Sequence, residues 1–121
     1  MEWYQKAAEN GDAHGMVGLG RMYERGEGVR QDDEESYKWY HMAAELGDSD
    51  GMNNTGIALL IGRGVDRDPY EAAKWNRKAA ELGHAKAQFN LGRQYLQADG
   101  VPQDYQEALY WIQQAAINGH P

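Results

Sequence analysis

Histidine and carboxylate side chains are the groups in this sequence that could hold a metal ion. The 121 residues contain no cysteine, so neither a thiolate metal site nor a disulfide can form. The four histidines are widely spaced, at His14, His41, His84 and His120. His84 and His120 occupy the same place in segments 36 residues apart, too far to share a metal ion without a third ligand. We therefore expect no metal site and no cofactor.

Two acidic segments are the other candidates for binding a cation. Asp48-Ser49-Asp50 offers oxygen donors, but it lacks the length and the remaining ligands of a calcium loop. The run of four carboxylates at 32–35 stands at the start of a predicted helix, whose positive N-terminus it complements. Both segments are expected to start helices rather than to bind ions.

Nothing in the chain concentrates catalytic chemistry. No serine, histidine and acid recur at a spacing that favours a triad, although a triad needs no fixed spacing in sequence. Gly26-Glu27-Gly28 is not a phosphate loop, because it follows a predicted helix rather than a strand. We expect the protein not to be an enzyme.

Charge and hydropathy limit the partners. The net charge is −7 and no basic face is apparent, which disfavours a nucleic acid. No apolar run approaches the ~20 residues of a membrane span, and the start, MEWYQKAAENGD, lacks the regions of a signal peptide. We expect no nucleic-acid or membrane partner, and a cytoplasmic location if the chain is complete.

One pattern repeats along the chain with a period of 36 residues and no insertion. All four tryptophans share its phase: Trp3, Trp39, Trp75 and Trp111. Three sets of glycines do so too: Gly11, Gly47, Gly83 and Gly119; Gly20, Gly56 and Gly92; Gly28, Gly64 and Gly100. The recurrence predicts a single repeat domain, 1–121, with a partial repeat at 1–12 and full repeats at 13–48, 49–84 and 85–121.

Each repeat predicts two helices, named A and B in chain order. In the last B helix, Ala108, Trp111, Ile112 and Ala115 fall at i, i+3, i+4 and i+7, on one apolar face. The predicted helices cover 2–10, 13–25, 33–46, 49–61, 69–82, 85–97 and 105–118. The fold class is therefore all-α, an α–α superhelix in which antiparallel helix pairs stack as a solenoid of about three repeats and a leading half-repeat.

Capping signals recur at the same places in each repeat. An aspartate followed three residues later by a glutamate predicts a capping box at the start of each full B helix. The pairs are Asp32 and Glu35, Asp68 and Glu71, and Asp104 and Glu107. His84 stands where Asp12 and Asp48 start the other A helices, and it should cap less well.

Two of the glycine positions predict local structure. The glycine at 20, 56 and 92 lies inside each A helix, where it should let the paired B helix approach closely. The glycine at 28, 64 and 100 lies in the turn between the A and B helices, where it should adopt a positive φ.

The chain combines three motifs: A-x-A-x-x-x-L-G-x-x-Y, G-x-G-V-x-x-D-x-x-x-A-x-x-W and A-A-x-x-G. This combination resembles the Sel-one-like repeat family, relatives of the tetratricopeptide repeats. The segment AKAQFNLGRQYLQADGVPQDYQEALYWIQQAAINGH, residues 85–120, matches best, and the resemblance covers the whole chain. Repeat two departs most, with Thr55 in place of leucine and Leu59 in place of tyrosine. The resemblance implies a tetratricopeptide-like solenoid; the chain does not resemble the cysteine-rich branch of the family.

The concave face of such a solenoid, lined by the A helices, is the expected binding groove. Because Leu19, Gly20 and Tyr23 should form the packing face of the first A helix, the opposite face of each A helix is predicted to contact a partner. Its residues are Val17, Arg21, Glu24, Arg25, Asn53, Ile57, Leu60, Ile61, Phe89, Arg93, Leu96 and Gln97. Arg21 and Arg93 would pair with a carboxylate, whereas the aliphatic members would anchor apolar groups or, alternatively, pack against the next repeat.

The resemblance adds Asn54 and Asn90 to this set. In related tetratricopeptide modules, an asparagine at this place hydrogen-bonds the backbone of an extended peptide. Repeat one has Gly18 there, so the first repeat should lack this contact.

The predicted function is a non-catalytic scaffold, as in bacterial signalling or host-interaction proteins of this type, that binds another protein or an extended peptide. The acidic net charge weakly favours a basic partner. Alternatives are a small-molecule binder or hydrolase-type enzyme that uses the same groove, a toxin-neutralising immunity protein, and a simple spacer. The first B helix should expose Trp3, Tyr4 and Ala7, which predicts self-association there.

Overall fold

A computed structural model of the chain describes residues 2–119, and Glu2 by its backbone alone. It contains seven helices: α1 (Glu2–Glu9), α2 (Ala13–Arg25), α3 (Asp33–Glu45), α4 (Ser49–Ile61), α5 (Pro69–Glu81), α6 (Ala85–Gln97) and α7 (Tyr105–Ile117). No strand is present within the described range. The predicted all-α class is confirmed; the A helices have their predicted ranges, and each B helix ends one residue early.

The helices stack in chain order in two layers. The A helices are α2, α4 and α6, and the B helices are α1, α3, α5 and α7. Each helix packs against the one before and the one after it, and α4 also contacts α2 and α6. This sequential contact is that of a solenoid. Within residues 2–119, no helix combines the length and apolar character needed to cross a membrane.

The A and B helices of each repeat meet at a glycine. A Cβ atom added at Gly20 would lie 2.6 Å from the ring of Tyr40, and one at Gly56 would lie 2.4 Å from Oδ1 of Asn76. Gly92 is equally close to its B helix. Since Cβ atoms do not approach other atoms so closely, the glycine sets the distance between the paired helices, as predicted.

The first B helix is packed more fully than the sequence indicates. Gly18 leaves space for Tyr4, whose ring would be 2.3 Å from a Cβ at that position. Ala7 likewise packs against Gly15. Of the three residues predicted to be exposed, only Trp3 is, at 67%. The prediction for Tyr4 and Ala7 is wrong because glycines in α2 receive both side chains.

The predicted capping boxes form only in part. Oδ1 of Asp32 accepts hydrogen bonds from the backbone N–H groups of Glu34 and Glu35, at 3.1 and 3.2 Å. The backbone N–H of Asp32, however, donates to the carbonyl oxygen of Tyr23 in α2 at 2.9 Å. Asp104 repeats these contacts, and Asp68 repeats the backbone bond but accepts from Glu71 alone. The residue that starts each full B helix is thus fixed to the preceding A helix, in place of the reciprocal glutamate bond.

His84 caps α6 as the aspartates cap the other A helices. Its Nδ1 accepts from the backbone N–H of Ala87 at 3.3 Å, compared with 3.0 Å from Gly51 to Asp48 in α4. Its Nε2 lies 2.8 Å from Oδ1 of Asp50. An imidazole that accepts through Nδ1 carries its proton on Nε2, so His84 donates to Asp50 of the preceding repeat.

The turn glycine sets the distance between repeats. Gly64 has φ +77°, as predicted, and a Cβ there would lie 2.1 Å from the carbonyl oxygen of Asp33 at the start of α3. Gly100 makes the same approach to Pro69 at the start of α5. Each A–B turn therefore contacts the B helix of the preceding repeat.

Two glycine substitutions distinguish the contribution of this contact to stability from the cost of backbone strain. Gly64→Ala and Gly83→Ala both introduce a side chain at positive φ, which costs about 1–2 kcal/mol. Gly83 has nothing within 4 Å of the added Cβ, whereas at Gly64 a backbone carbonyl must move. We expect Gly64→Ala to lower the free energy of unfolding by about 1–3 kcal/mol more than Gly83→Ala does, measured by urea denaturation. Equal losses would show that the turn does not hold the repeats together.

Candidate functional site

The side of the A helices that faces away from their paired B helices is called the A surface. It carries most of the predicted binding residues, but two of them are buried. Val17 is 3% exposed and belongs to a core cluster with Met16 and Leu19. Asn53, at the same repeat position, is 4% exposed. The prediction that these two side chains line an open face is wrong, because this position contacts a neighbouring repeat.

The two asparagines singled out by the resemblance differ in their contacts. Nδ2 of Asn90 donates to Oδ1 of Asn53 in the preceding repeat, at 3.2 Å. One repeat earlier, Asn54 corresponds to Asn90, and Val17, which has no side-chain acceptor, corresponds to Asn53. Asn54 is half-buried and makes no side-chain hydrogen bond within the described residues. Its amide is therefore the freer of the two to contact a partner.

Glu24 is held within the protein. Its Oε1 accepts a 2.6 Å hydrogen bond from the hydroxyl of Tyr40, and its Oε2 lies 3.1 Å from Nη2 of Arg63. Burial of Tyr40 and, second, its hydrogen bond to Glu24 raise the pKa of this hydroxyl well above the usual 10.0. The carboxylate predicted to contact a partner thus joins α2, α3 and the turn after α4.

A second ion pair crosses the next repeat boundary. Nη2 of Arg67 lies 2.7 Å from each carboxylate oxygen of Asp99, and Nε of Arg67 donates to the carbonyl oxygen of Leu60 at 2.7 Å. Asp99 stands at the repeat position of Arg63. The same turn position therefore reaches back to an opposite charge in the preceding repeat at both boundaries.

The A surface contains a cleft of about 190 Å³ between the C-terminal halves of α4 and α6. Seven residues line it: Leu60, Ile61, Asn90, Arg93, Gln94, Gln97 and Asp99. Five of these belong to the predicted set: Leu60, Ile61, Asn90, Arg93 and Gln97. Ile61 is 58% exposed and adds apolar surface to it. Leu96, which does not line the cleft, is 43% exposed. We call this the A-surface cleft.

Gln94 and Asp99 are the cleft residues that the sequence reasoning missed. Gln94 is 2% exposed as a residue, and its amide donates to the backbone oxygens of Pro69 and Asp99, which fixes the floor of the cleft. Asp99 comes from the turn after α6, outside the helix face from which the prediction was made. A helical periodicity gives no information on a turn residue that folds back beside its own helix.

The remaining predicted residues occupy different places on the A surface. Ile57 and Phe89 are half-buried, and the guanidinium carbon of Arg93 lies 5.9 Å from the centre of the Phe89 ring. Arg21 is exposed in repeat one and does not line the A-surface cleft. Neither Arg21 nor Arg93 forms an ion pair within residues 2–119.

The acidic segments have structural partners. Asp48 caps α4, Asp50 pairs with His84, and Asp32 caps α3. Among the described residues, no group of three or more potential metal ligands is close enough to hold an ion. His120 lies outside the described residues.

A wider cleft of about 510 Å³ lies between α5, α6 and α7, beside Gln88 and Trp111. One repeat earlier, the equivalent residues Met52 and Trp75 pack against Ala87 of α6. The wider cleft is therefore the surface on which a repeat of this fold stacks, and it differs in kind from the A-surface cleft.

Comparison with family models assigns the whole repeat pattern to one family. The Sel1 repeat model matches residues 1–12, 13–48, 49–84 and 85–120. A comparison with the sequences of curated proteins gave no match.

Solved structures with the same fold include longer chains. A protective antigen with an SLR fold, present in uropathogenic Escherichia coli strains, is 39% identical with a TM-score of 0.95, over 98% of this chain and 26% of that one. A Sel1 repeat protein from Oxalobacter formigenes is 36% identical with a TM-score of 0.86, over 89% of this chain and 43% of that one. This chain thus spans less than half the length of either protein.

A more distant structure agrees on the fold alone. Helicobacter pylori cysteine rich protein B is 23% identical with a TM-score of 0.74, over 98% of this chain and 84% of that one. The helix pairing therefore recurs in a cysteine-rich protein although this chain contains no cysteine.

The Tyr40–Glu24 contact predicts a pH dependence. Because the pKa of Tyr40 is raised in the folded protein, its full stabilising effect is present below pH 10 and is lost as pH rises above that value. We expect the free energy of unfolding of the unsubstituted protein to fall between pH 9.5 and 11. In Tyr40→Phe the fall should be smaller, the difference being up to about 1.4 kcal/mol per pH unit. Urea denaturation at several pH values measures both. Parallel curves for the two proteins would contradict this prediction.

Proposed function

Because the chain belongs to the Sel1 repeat family, whose members typically serve as protein-interaction scaffolds, we propose that it binds a segment of another protein on its A surface. The binding is non-catalytic. The A-surface cleft carries this proposal, since it brings Arg93 and Gln97, whose side chains make no hydrogen bond or ion pair within residues 2–119, next to the apolar side chains of Leu60 and Ile61.

The composition of the cleft supports binding of a protein segment. Interfaces combine apolar contacts with a small number of hydrogen bonds that fix orientation, and arginine is enriched in them. Leu60 and Ile61 supply the apolar contact, and Arg93 and Gln97 supply donors. A volume of about 190 Å³ is below the range of about 300–1,000 Å³ typical of small-molecule pockets, which favours side chains of a larger partner.

The enzyme alternative has less support from the same residues. The one carboxylate that lines the A-surface cleft, Asp99, is bound by Arg67 through both oxygens. The other polar residues of the cleft are amides and an arginine, and none of these transfers protons near neutral pH. The cleft is thus equipped for recognition.

Charge reversal tests whether the A surface binds the partner. We expect Arg21→Glu with Arg93→Glu to abolish binding of a partner identified by affinity purification, as measured by calorimetry with purified proteins. The matched control is Arg30→Glu with Lys74→Glu, which makes the same charge change in a turn and on a B helix.

The control variant should retain the wild-type dissociation constant within about threefold. All four substituted residues are exposed, so circular dichroism should show unchanged helix content in both variants. If the two double variants lose binding equally, the A surface is not the site. If neither loses it, the B helices or the turns bind the partner.

A further inference from the structure

The charges of this chain are divided unequally between its layers. The chain as a whole carries −7, but the A helices carry four basic residues and two acidic ones. These are Arg21, Arg25, Lys86 and Arg93 against Glu24 and Asp50. The negative charge is therefore concentrated in the B helices and the turns, and the layer with the A-surface cleft is locally positive.

Both acidic residues of the A helices already have partners. Glu24 is bound by Arg63 and Tyr40, and Asp50 by His84. The cation of Arg93, by contrast, is exposed and forms no ion pair within residues 2–119. The neutral His84 does not offset the formal charge of Asp50, but Arg21, Lys86 and Arg93, which form no ion pair within residues 2–119, outnumber it. The uncompensated charge of the A helices is thus positive.

Within the A-surface cleft the uncompensated charge is likewise positive. Asp99 would counter Arg93 if it were free, but both of its oxygens lie 2.7 Å from Nη2 of Arg67. Arg67 does not line the cleft, so it neutralises Asp99 from the side. The cleft presents one guanidinium that forms no ion pair within residues 2–119, next to the apolar side chains of Leu60 and Ile61.

We propose that the A-surface cleft binds an acidic segment of a partner protein, with a side-chain carboxylate on Arg93 and an adjoining apolar side chain against Leu60 and Ile61. This inference rests on the proposed function and specifies the chemistry of the partner. A guanidinium binds a carboxylate through paired hydrogen bonds, so contact at Arg93 selects acidic over basic segments. The acidic remainder of the chain acts weakly, because charges more than about 8–10 Å away are screened at physiological ionic strength.

Peptide selection against the 121-residue chain tests this inference. The library holds random twelve-residue peptides, displayed with their termini joined to carrier protein. We expect enrichment of peptides in which aspartate or glutamate adjoins leucine, isoleucine or phenylalanine. The dissociation constant of an enriched peptide, synthesised with blocked termini, should rise at least tenfold in Arg93→Gln and less than twofold in Arg30→Gln, by fluorescence anisotropy.

A second variant tests the role of Asp99. Arg67→Gln keeps the bond to the A helix, because Gln31 and Gln103 at the same repeat position donate to Glu24 and Leu96 carbonyls. It frees the Asp99 carboxylate, so the acidic peptide should bind at least threefold more weakly. Adding Asp99→Asn should restore the wild-type affinity, a result that simple damage to the fold would not give.

The outcomes separate this inference from the proposed function. The selection could instead enrich basic or uncharged peptides that still lose affinity in the Arg21→Glu, Arg93→Glu double variant. That result would overturn the inference of an acidic partner and leave the A surface as a binding site. Acidic peptides insensitive to Arg93→Gln would overturn the assignment to the cleft. No enrichment of any peptide would count against the proposed binding of protein segments itself.

Discussion

The close approach of helices at glycine is the contact on which the structure depends. Gly20 and Gly56 place each A helix against its B helix without an intervening Cβ, and Gly64 places a turn against the B helix of the preceding repeat. The backbone bond from Asp32 to the carbonyl of Tyr23 then fixes where the B helix starts. Because these contacts use backbone atoms at fixed intervals, an insertion in one repeat would misplace all of them. The uniform period of 36 residues follows from that constraint.

Positions that do not make these contacts are free to vary in chemistry. The turn position at 27, 63 and 99 is glutamate, arginine and aspartate, and the last two pair with opposite charges of the preceding repeat. The identity of each turn residue is thus matched to the neighbouring repeat rather than to the period. Such pairs between partly exposed groups contribute little stability, about 0–1 kcal/mol each. They do, however, determine which charges of the A surface remain available.

The sequence predicted the fold closely and the site only in part. Helices and their order follow from glycine, aspartate and tryptophan at fixed spacing, because each has a local conformational or packing cause. Which side of a helix faces solvent also depends on contacts with the adjacent repeat. Helical periodicity gives no information on those contacts. Val17 and Asn53 were misplaced for this reason, and Glu24 was paired across a boundary. Leu60, Ile61, Asn90, Arg93 and Gln97, predicted from the helix face, line one cleft, but the turn residue Asp99 had no signal in the helix pattern.

Net charge is a poor guide to the partner of a layered protein. A value of −7 favours a basic partner only if the contacting surface resembles the average surface, and here the A helices have the opposite excess. Capping accounts for part of the acidity: Asp32, Asp68 and Asp104 start B helices, and Asp12 and Asp48 start A helices, where a carboxylate stabilises the free N–H groups. These carboxylates are thus explained by helix starts, independently of binding. The charge relevant to recognition is what remains on the A surface after Arg63 and Arg67 have neutralised Glu24 and Asp99.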